Sequence, residues 1–166
     1  MEPSTKLQYV LLFTFSTLLR YSISLAPFSG QFNAIPPPGQ AAYGDFECHR
    51  TWLSVTNKLP FTQWYKNTTH SNVSYWPLDY PPLCMEVHYV MSKSIEFLEP
   101  QALDTIGYME PRYVWLMRTW VIILEYLVFV PGAIFFLQCS NGKVTPIELA
   151  VIVSIPASML VDNAHF

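Results

Sequence analysis

Residues 114–138 read VWLMRTWVIILEYLVFVPGAIFFLQ, a nearly unbroken run of aliphatic and aromatic side chains, and this run decides the fold class. A helix needs about 20 apolar residues to cross the hydrocarbon core of a bilayer, and this one has them. Pro131-Gly132 does not spoil the reading, because helix breakers are tolerated in membrane helices. Glu125 lies near the middle, where an ionisable group is costly and faces protein or a water-filled cavity. Arg118, seven residues earlier, shares its helix face at a separation of about 10 Å. That is too far for a direct ion pair, so each is expected to find its partner on another helix. The rest of the chain agrees with a membrane setting: 51% of residues are hydrophobic and 13% charged, against about 25% charged in soluble domains. The expected class is an all-α membrane protein. A net charge of −3 and the lack of any Lys/Arg cluster exclude a surface built to track nucleic-acid phosphates.

Working outward, residues 139–145 contain Asn141-Gly142-Lys143 and read as a short cytoplasmic turn. Pro146 to Val161 reads as a third apolar segment, and residues 146–166 are expected to end at the lumenal face. Upstream, Leu7 to Leu25 is a further apolar run behind Lys6, barely long enough for a crossing. It fits an uncleaved signal anchor within residues 1–25, or a cleavable signal peptide with small residues Ser22, Ser24 and Ala26. Arg20 near its end can snorkel to the interface or face inward as a functional cation. Lys6 and Lys143 then fall on the cytoplasmic side, in keeping with the positive-inside tendency. Residues 26–113 form one long lumenal loop, and it carries two glycosylation sequons, Asn67-Thr68-Thr69 and Asn72-Val73-Ser74.

Within that loop, residues 26–43 are rich in Pro and Gly and read as a linker. Asp45 can cap a helix that buries Phe46, Trp52, Leu53, Thr56 and Leu59 and stops at Leu59-Pro60. Leu83 to Leu98 is amphipathic, with Leu83, Val87, Val90, Met91 and Leu98 on one face. It suits a helix lying in the interface. Asp45 and Asp79 are the candidates for a general base, since transfer to a hydroxyl needs a group to take its proton; the plain alternatives are a helix cap and a turn residue before Tyr80-Pro81-Pro82. Glu47, His49 and Arg50 widen the candidate site, though Glu47 and His49 also fit a solvated helix face. Asp162 and His165, three apart, join the same lumenal site or serve as interfacial anchors. Cys48 and Cys84 can be free thiols, the favoured reading, or a disulfide. Four scattered histidines, His49, His70, His88 and His165, form no metal-ligand motif, and no nucleophile elbow is present.

These residues carry a resemblance. Tyr43-Gly44-Asp45-Phe46-Glu47, His49-Arg50, Trp52, Gln63-Trp64-Tyr65 and Tyr75-Trp76-Pro77-Leu78-Asp79-Tyr80-Pro81-Pro82-Leu83 resemble the dolichyl-phosphate-glucose-dependent α-1,3-glucosyltransferases of the endoplasmic reticulum. Arg20-Tyr21, Met117-Arg118-Thr119 and Asp162 with His165-Phe166 extend the likeness over nearly the whole chain. The resemblance implies a GT-C fold in a multi-pass membrane protein with its active face lumenal. It implies inverting transfer of glucose from dolichyl phosphate glucose to the dolichol-linked high-mannose oligosaccharide, with no metal or cofactor. Asp45 falls on the family's general base, and Asp79 lines the same pocket. Glu47, Arg50, Asp162 and His165 are carried over as substrate contacts. The Leu78-Asp79-Tyr80-Pro81-Pro82-Leu83 run is more similar to the enzymes adding the first glucose, whereas His49 in place of the usual Gln is shared with those adding the second. A non-catalytic membrane assembly subunit is the alternative from another class. The family extends several hundred residues further, so the chain reads as an N-terminal fragment, inactive when alone.

Overall fold

A computed structural model of the chain describes residues 3–27 and 44–154, and among them no β-strand is present. The helices are α1 (Pro3–Ser24), α2 (Gly44–Lys58), α3 (Pro82–Leu98), α4 (Gln101–Asp104), α5 (Pro111–Leu124), α6 (Val130–Asn141) and α7 (Pro146–Ser154). Much of the 26–43 linker, the end of the third apolar segment, and the candidates Asp162 and His165 lie outside the described residues. The chain divides into two compact units, one holding residues up to Pro27 and from Arg118 onward, the other residues 28–117.

Helix α5 begins in the second unit and continues into the first from Arg118, where it joins α6 through a π-helical turn, Glu125–Phe129; the continuous helix, Pro111–Asn141, is long and apolar enough to cross a membrane. The π turn has a local cause. Pro131 brings no N–H and its ring crowds the carbonyl four residues back, and widening the preceding turn relieves the clash. The Val130 N–H accordingly bonds to the Glu125 carbonyl five residues earlier. Gly142 ends α6 at φ 73°, a left-handed conformation that favours glycine, and its N–H closes on the Gln138 carbonyl. Thr145 and Glu148 then form a capping box at the start of α7. The Glu148 N–H donates to Thr145 Oγ1 at 3.2 Å, and the Thr145 N–H donates to Glu148 Oε2 at 2.8 Å.

The charged residues of this unit depart from the snorkelling expectation for Arg20. Arg20 is fully buried and binds Glu125 through two bonds, Nε to Oε2 at 2.8 Å and Nη2 to Oε1 at 3.0 Å. Its Nη1 donates to the Val153 carbonyl of α7 at 2.7 Å and to Ser16, and the guanidinium lies 4.9 Å from the centre of the Tyr126 ring. Glu125 thus does find its partner on another helix, as its distance from Arg118 requires. Arg118 donates through Nη2 to the Ala26 carbonyl at 3.0 Å, beyond the end of α1.

The second unit is built on α2 packed against α3 and α4. Its core contains Cys48, Trp52, Val55, Trp64, Leu78 and Met85, with Leu59, Trp76 and Cys84 packed around them. The helix start differs from expectation. Gly44, at φ 55°, is its first residue, so Asp45 is not the cap but lies in the first turn with Glu47, where negative charge suits the helix dipole. Helix α3 begins at Pro82, as proline at a first turn predicts. Of the apolar residues read onto one face, only Met91 is buried in the protein. Met85, His88, Met91, Ser92 and Ile95 point inward, whereas Leu83 and Val90 are 73% and 58% exposed. Leu83, Val90 and Phe97, spaced seven apart, therefore form an outward apolar stripe.

Candidate functional site

Four acidic or basic candidates come from the start of α2, and the fold sorts them into two layers. Glu47 is fully buried and Arg50 4% exposed, joined by paired bonds of 2.7 Å. Glu47 also accepts the Gly107 N–H at 3.1 Å and the Tyr75 hydroxyl at 3.4 Å, while Arg50 donates to the Ala102 carbonyl at 2.9 Å. These contacts tie α2 to α4 and to the loops around it. Neither Glu47 nor His49 lies on the solvated face that spacing allowed: His49 is 5% exposed. A buried carboxylate must be paired to be tolerated, and Arg50 does that here. Glu47 and Arg50 lie beneath the surface of the site.

Asp45 and Asp79 differ from Glu47 in every respect. Both are exposed, and neither makes a hydrogen bond or ion pair with the described residues. Both nonetheless act on one buried group. The Cys48 thiol is pushed up to about 12, first by burial, then by the charges of Asp79, Asp45 and Glu47 in that order. Two carboxylates on separate elements thus act on one thiol, at a place where their oxygens are open to an incoming hydroxyl. Cys48 and Cys84 are both free, as favoured, and Cys48 stays an unreactive protonated thiol.

Asp79 is held by its neighbours. Trp52 Nε1 donates to the Pro77 carbonyl at 3.0 Å, Leu78 is buried in the core, and the Tyr65 hydroxyl donates to the Tyr80 carbonyl at 2.8 Å. The Tyr80 ring packs edge-on to Trp52, with ring centres 4.9 Å apart. Tyr80 and Tyr65 still leave 48% and 41% of their surface outside. Exposed aromatic faces beside free carboxylates suit a sugar, which offers C–H faces for packing and hydroxyls for hydrogen bonding.

Below this surface His49 and His88 form a bonded pair. Their rings are 11° from parallel, and His49 Nδ1 lies 2.9 Å from His88 Nε2. The tautomers follow from the partners. His88 Nδ1 is 2.8 Å from the Cys84 carbonyl, which can only accept, so Nδ1 carries the proton. In neutral His88, Nε2 is then the acceptor and His49 Nδ1 the donor. Burial pushes both imidazoles down, His49 to about 3, with the facing His88 adding to the effect. The His49 value lies below its ordinary 6.5, so on acidification the unfolded chain takes up this proton first. The stabilisation is therefore complete above pH 6.5 and lost as pH falls from there toward 3. At pH 5 the expected loss from His49 is about 2 kcal/mol. Thermal unfolding in detergent at about pH 7.5 and about pH 5, on either side of the ordinary histidine value, measures it, and His49→Gln should flatten much of the difference.

Sequence reasoning singled out Asp45 and Asp79 as candidates but not Tyr65 and His88, nor the part that Trp52 plays in holding the segment around Asp79. The signal was the density of aromatics around the acidic motifs. The sequons Asn67 and Asn72 are both exposed, and Asn72 Oδ1 accepts the Ser74 N–H in an Asx turn at 2.9 Å.

Comparison with known proteins bears on this arrangement, because residues 11–166 match the ALG6, ALG8 glycosyltransferase family. The chain belongs to that family. It is 37% identical over 148 residues to a Caenorhabditis elegans protein named probable dolichyl pyrophosphate Man9GlcNAc2 alpha-1,3-glucosyltransferase, covering 87% of this chain and 28% of the relative. The Gallus gallus and Saccharomyces cerevisiae proteins named dolichyl pyrophosphate Man9GlcNAc2 alpha-1,3-glucosyltransferase are 36% and 33% identical. These alignments cover 89% and 94% of this chain and 29% of each relative. The chain thus spans under a third of the length of these curated relatives. Within the ALG6, ALG8 glycosyltransferase family, the match includes both acidic segments and the helices that hold them.

Proposed function

We propose that the intact protein is an inverting glucosyltransferase of the endoplasmic reticulum membrane. It moves glucose from dolichyl phosphate glucose to the dolichol-linked high-mannose oligosaccharide. The observation that carries this reading is the pair of unengaged, exposed carboxylates, Asp45 and Asp79, whose charges both reach the Cys48 thiol, in a member of a glycosyltransferase family. Asp45 acts as general base, taking the proton of the acceptor hydroxyl as it attacks the glucosyl carbon and the dolichyl phosphate leaves from the opposite face. One displacement with inversion needs one such base. Asp79 binds the acceptor, accepting hydrogen bonds from sugar hydroxyls beside the Tyr80 ring. Glu47 and Arg50 support binding from beneath by holding the first turn of α2, and Asp162 and His165 complete the contacts. The proposed architecture is the N-terminal part of a GT-C fold. Residues 1–25, 114–138 and 146–166 cross the membrane, residues 139–145 turn on the cytoplasmic side, and loop 26–113 lies in the lumen with the exposed stripe of α3 against the bilayer.

The first glucose is favoured over the second, because the relatives' names specify a Man9GlcNAc2 acceptor. Microsomes containing the intact protein, supplied with dolichyl phosphate glucose, are expected to glucosylate lipid-linked Man9GlcNAc2 and to leave the same oligosaccharide already bearing one glucose unchanged. The reverse preference would assign the second transfer. Failure with both acceptors would remove the glucosyltransferase reading.

A further inference from the structure

We propose that the His49–His88 pair is a positioning latch that fixes the Asp79 segment against the helix bearing Asp45, so that its loss is felt in acceptor binding. The role in acceptor binding rests on the glucosyltransfer reading above; the latch itself does not. His49 is one helical turn beyond Asp45 on α2, a rise of about 6 Å. His88 belongs to α3, whose first residue, Pro82, is three past Asp79. The bond between them is therefore a direct polar link between the helix that carries Asp45 and the helix into which the Asp79 segment leads.

The need for a latch follows from Asp79 itself. It makes no hydrogen bond with the described residues, so its position is set by what holds its neighbours. His49 sits centrally among those neighbours. Its ring centre is 4.8 Å from that of Trp52, 6.4 Å from Tyr80 and 5.1 Å from His88. Trp52 in turn holds the Pro77 carbonyl and packs on His88 at 5.5 Å. The hydrogen-bond chain has one direction, from His49 Nδ1–H to His88 Nε2 and from His88 Nδ1–H to the Cys84 carbonyl in the first turn of α3. A side chain replacing His49 must therefore donate, and a glutamine amide can do so while leucine cannot.

The test compares His49→Leu, His49→Gln, Asp79→Asn and the double variant His49→Leu/Asp79→Asn in the intact protein. His49→Leu is expected to raise the KM for the lipid-linked acceptor about tenfold and to leave kcat within about twofold, the loss of one buried hydrogen bond. His49→Gln should restore the wild-type KM. The double variant should bind no worse than Asp79→Asn alone, since the latch acts through that carboxylate. An unchanged KM in His49→Leu, a fall confined to kcat, or multiplying effects in the double variant would each overturn the proposal. Hydrogen–deuterium exchange of residues 78–86 in detergent gives a readout independent of transfer. It should be about tenfold faster in His49→Leu than in wild type or His49→Gln. Equal exchange in all three forms sinks the latch, whereas a wild-type protein that transfers no glucose but shows the exchange pattern sinks only the glucosyltransfer reading.

Discussion

Asp45→Asn is expected to reduce glucose transfer by the intact protein about 10³-fold, with little change in the amount of folded protein. The size follows from the role: a positioned general base contributes on the order of 10²–10⁴ in rate, and an amide of the same shape cannot take the proton. The small structural effect follows from the placement. Asp45 is exposed, makes no hydrogen bond with the described residues, and follows Gly44, whose positive φ starts the helix. Its replacement removes one favourable charge from the first turn of α2, worth about 0.3–1 kcal/mol, and leaves Glu47 there. Initial rates measured with a defined lipid-linked acceptor give the effect. Endoglycosidase-sensitive sugar on Asn67 or Asn72 shows that the loop of the variant reaches the lumen, and a monodisperse profile in detergent shows that it is folded. A variant retaining wild-type turnover would exclude Asp45 as the base. Glu47→Gln forms the contrast. It strips the counter-charge from buried Arg50 and should lower the yield of folded protein instead of acting on the chemical step alone.

How far the sequence was legible depends on the range of the force involved. The end of α2 and the start of α3 were readable because Pro60 and Pro81-Pro82 act on their immediate neighbours, and the long apolar helix because its composition alone requires it. Which face of α3 turns inward was not readable. Leu83 and Val90 are more hydrophobic than His88 and Ser92, yet the partner helix α2 offers His49 and Asn57, which pair with those polar groups. Hydropathy ranks residues by water's preference and says nothing about the neighbour they meet. The same limit applied to the site. Asp45 and Glu47 are two residues apart with the same charge, and only packing of α2 against α4 and the following loop decides which is buried and which stays free. Arg20 and Glu125, 105 residues apart, illustrate it at longest range. Each was visible as costly in an apolar segment, but no local pattern joins them.

That pair gives the largest expected effect on stability. Glu125→Gln should destabilise the unit formed by α1, α6 and α7 by about 3–5 kcal/mol, because it leaves the fully buried Arg20 guanidinium without a counter-charge. Arg20→Met should cost a similar amount through the stranded Glu125 carboxylate, whose side chain is 4% exposed. Removing both charges together, as Arg20→Met/Glu125→Leu, should cost less than either single change, since an apolar pair of similar volume carries no desolvation penalty. The surroundings permit it. Ser16 Oγ donates to the Val153 carbonyl and shares a 2.8 Å bond with the Tyr126 hydroxyl, so the polar groups near Arg20 keep partners after it is gone. The π turn also survives, because its Val130 N–H bonds to the Glu125 backbone and not to the side chain. The fraction of monodisperse protein left after heating in detergent, compared across the two single variants and the double, measures the coupling. If the two losses simply add, the ion pair contributes nothing specific to holding α1 against the long helix. If the double variant recovers, the charges are there as a matched pair, each tolerated in an apolar helix because of the other.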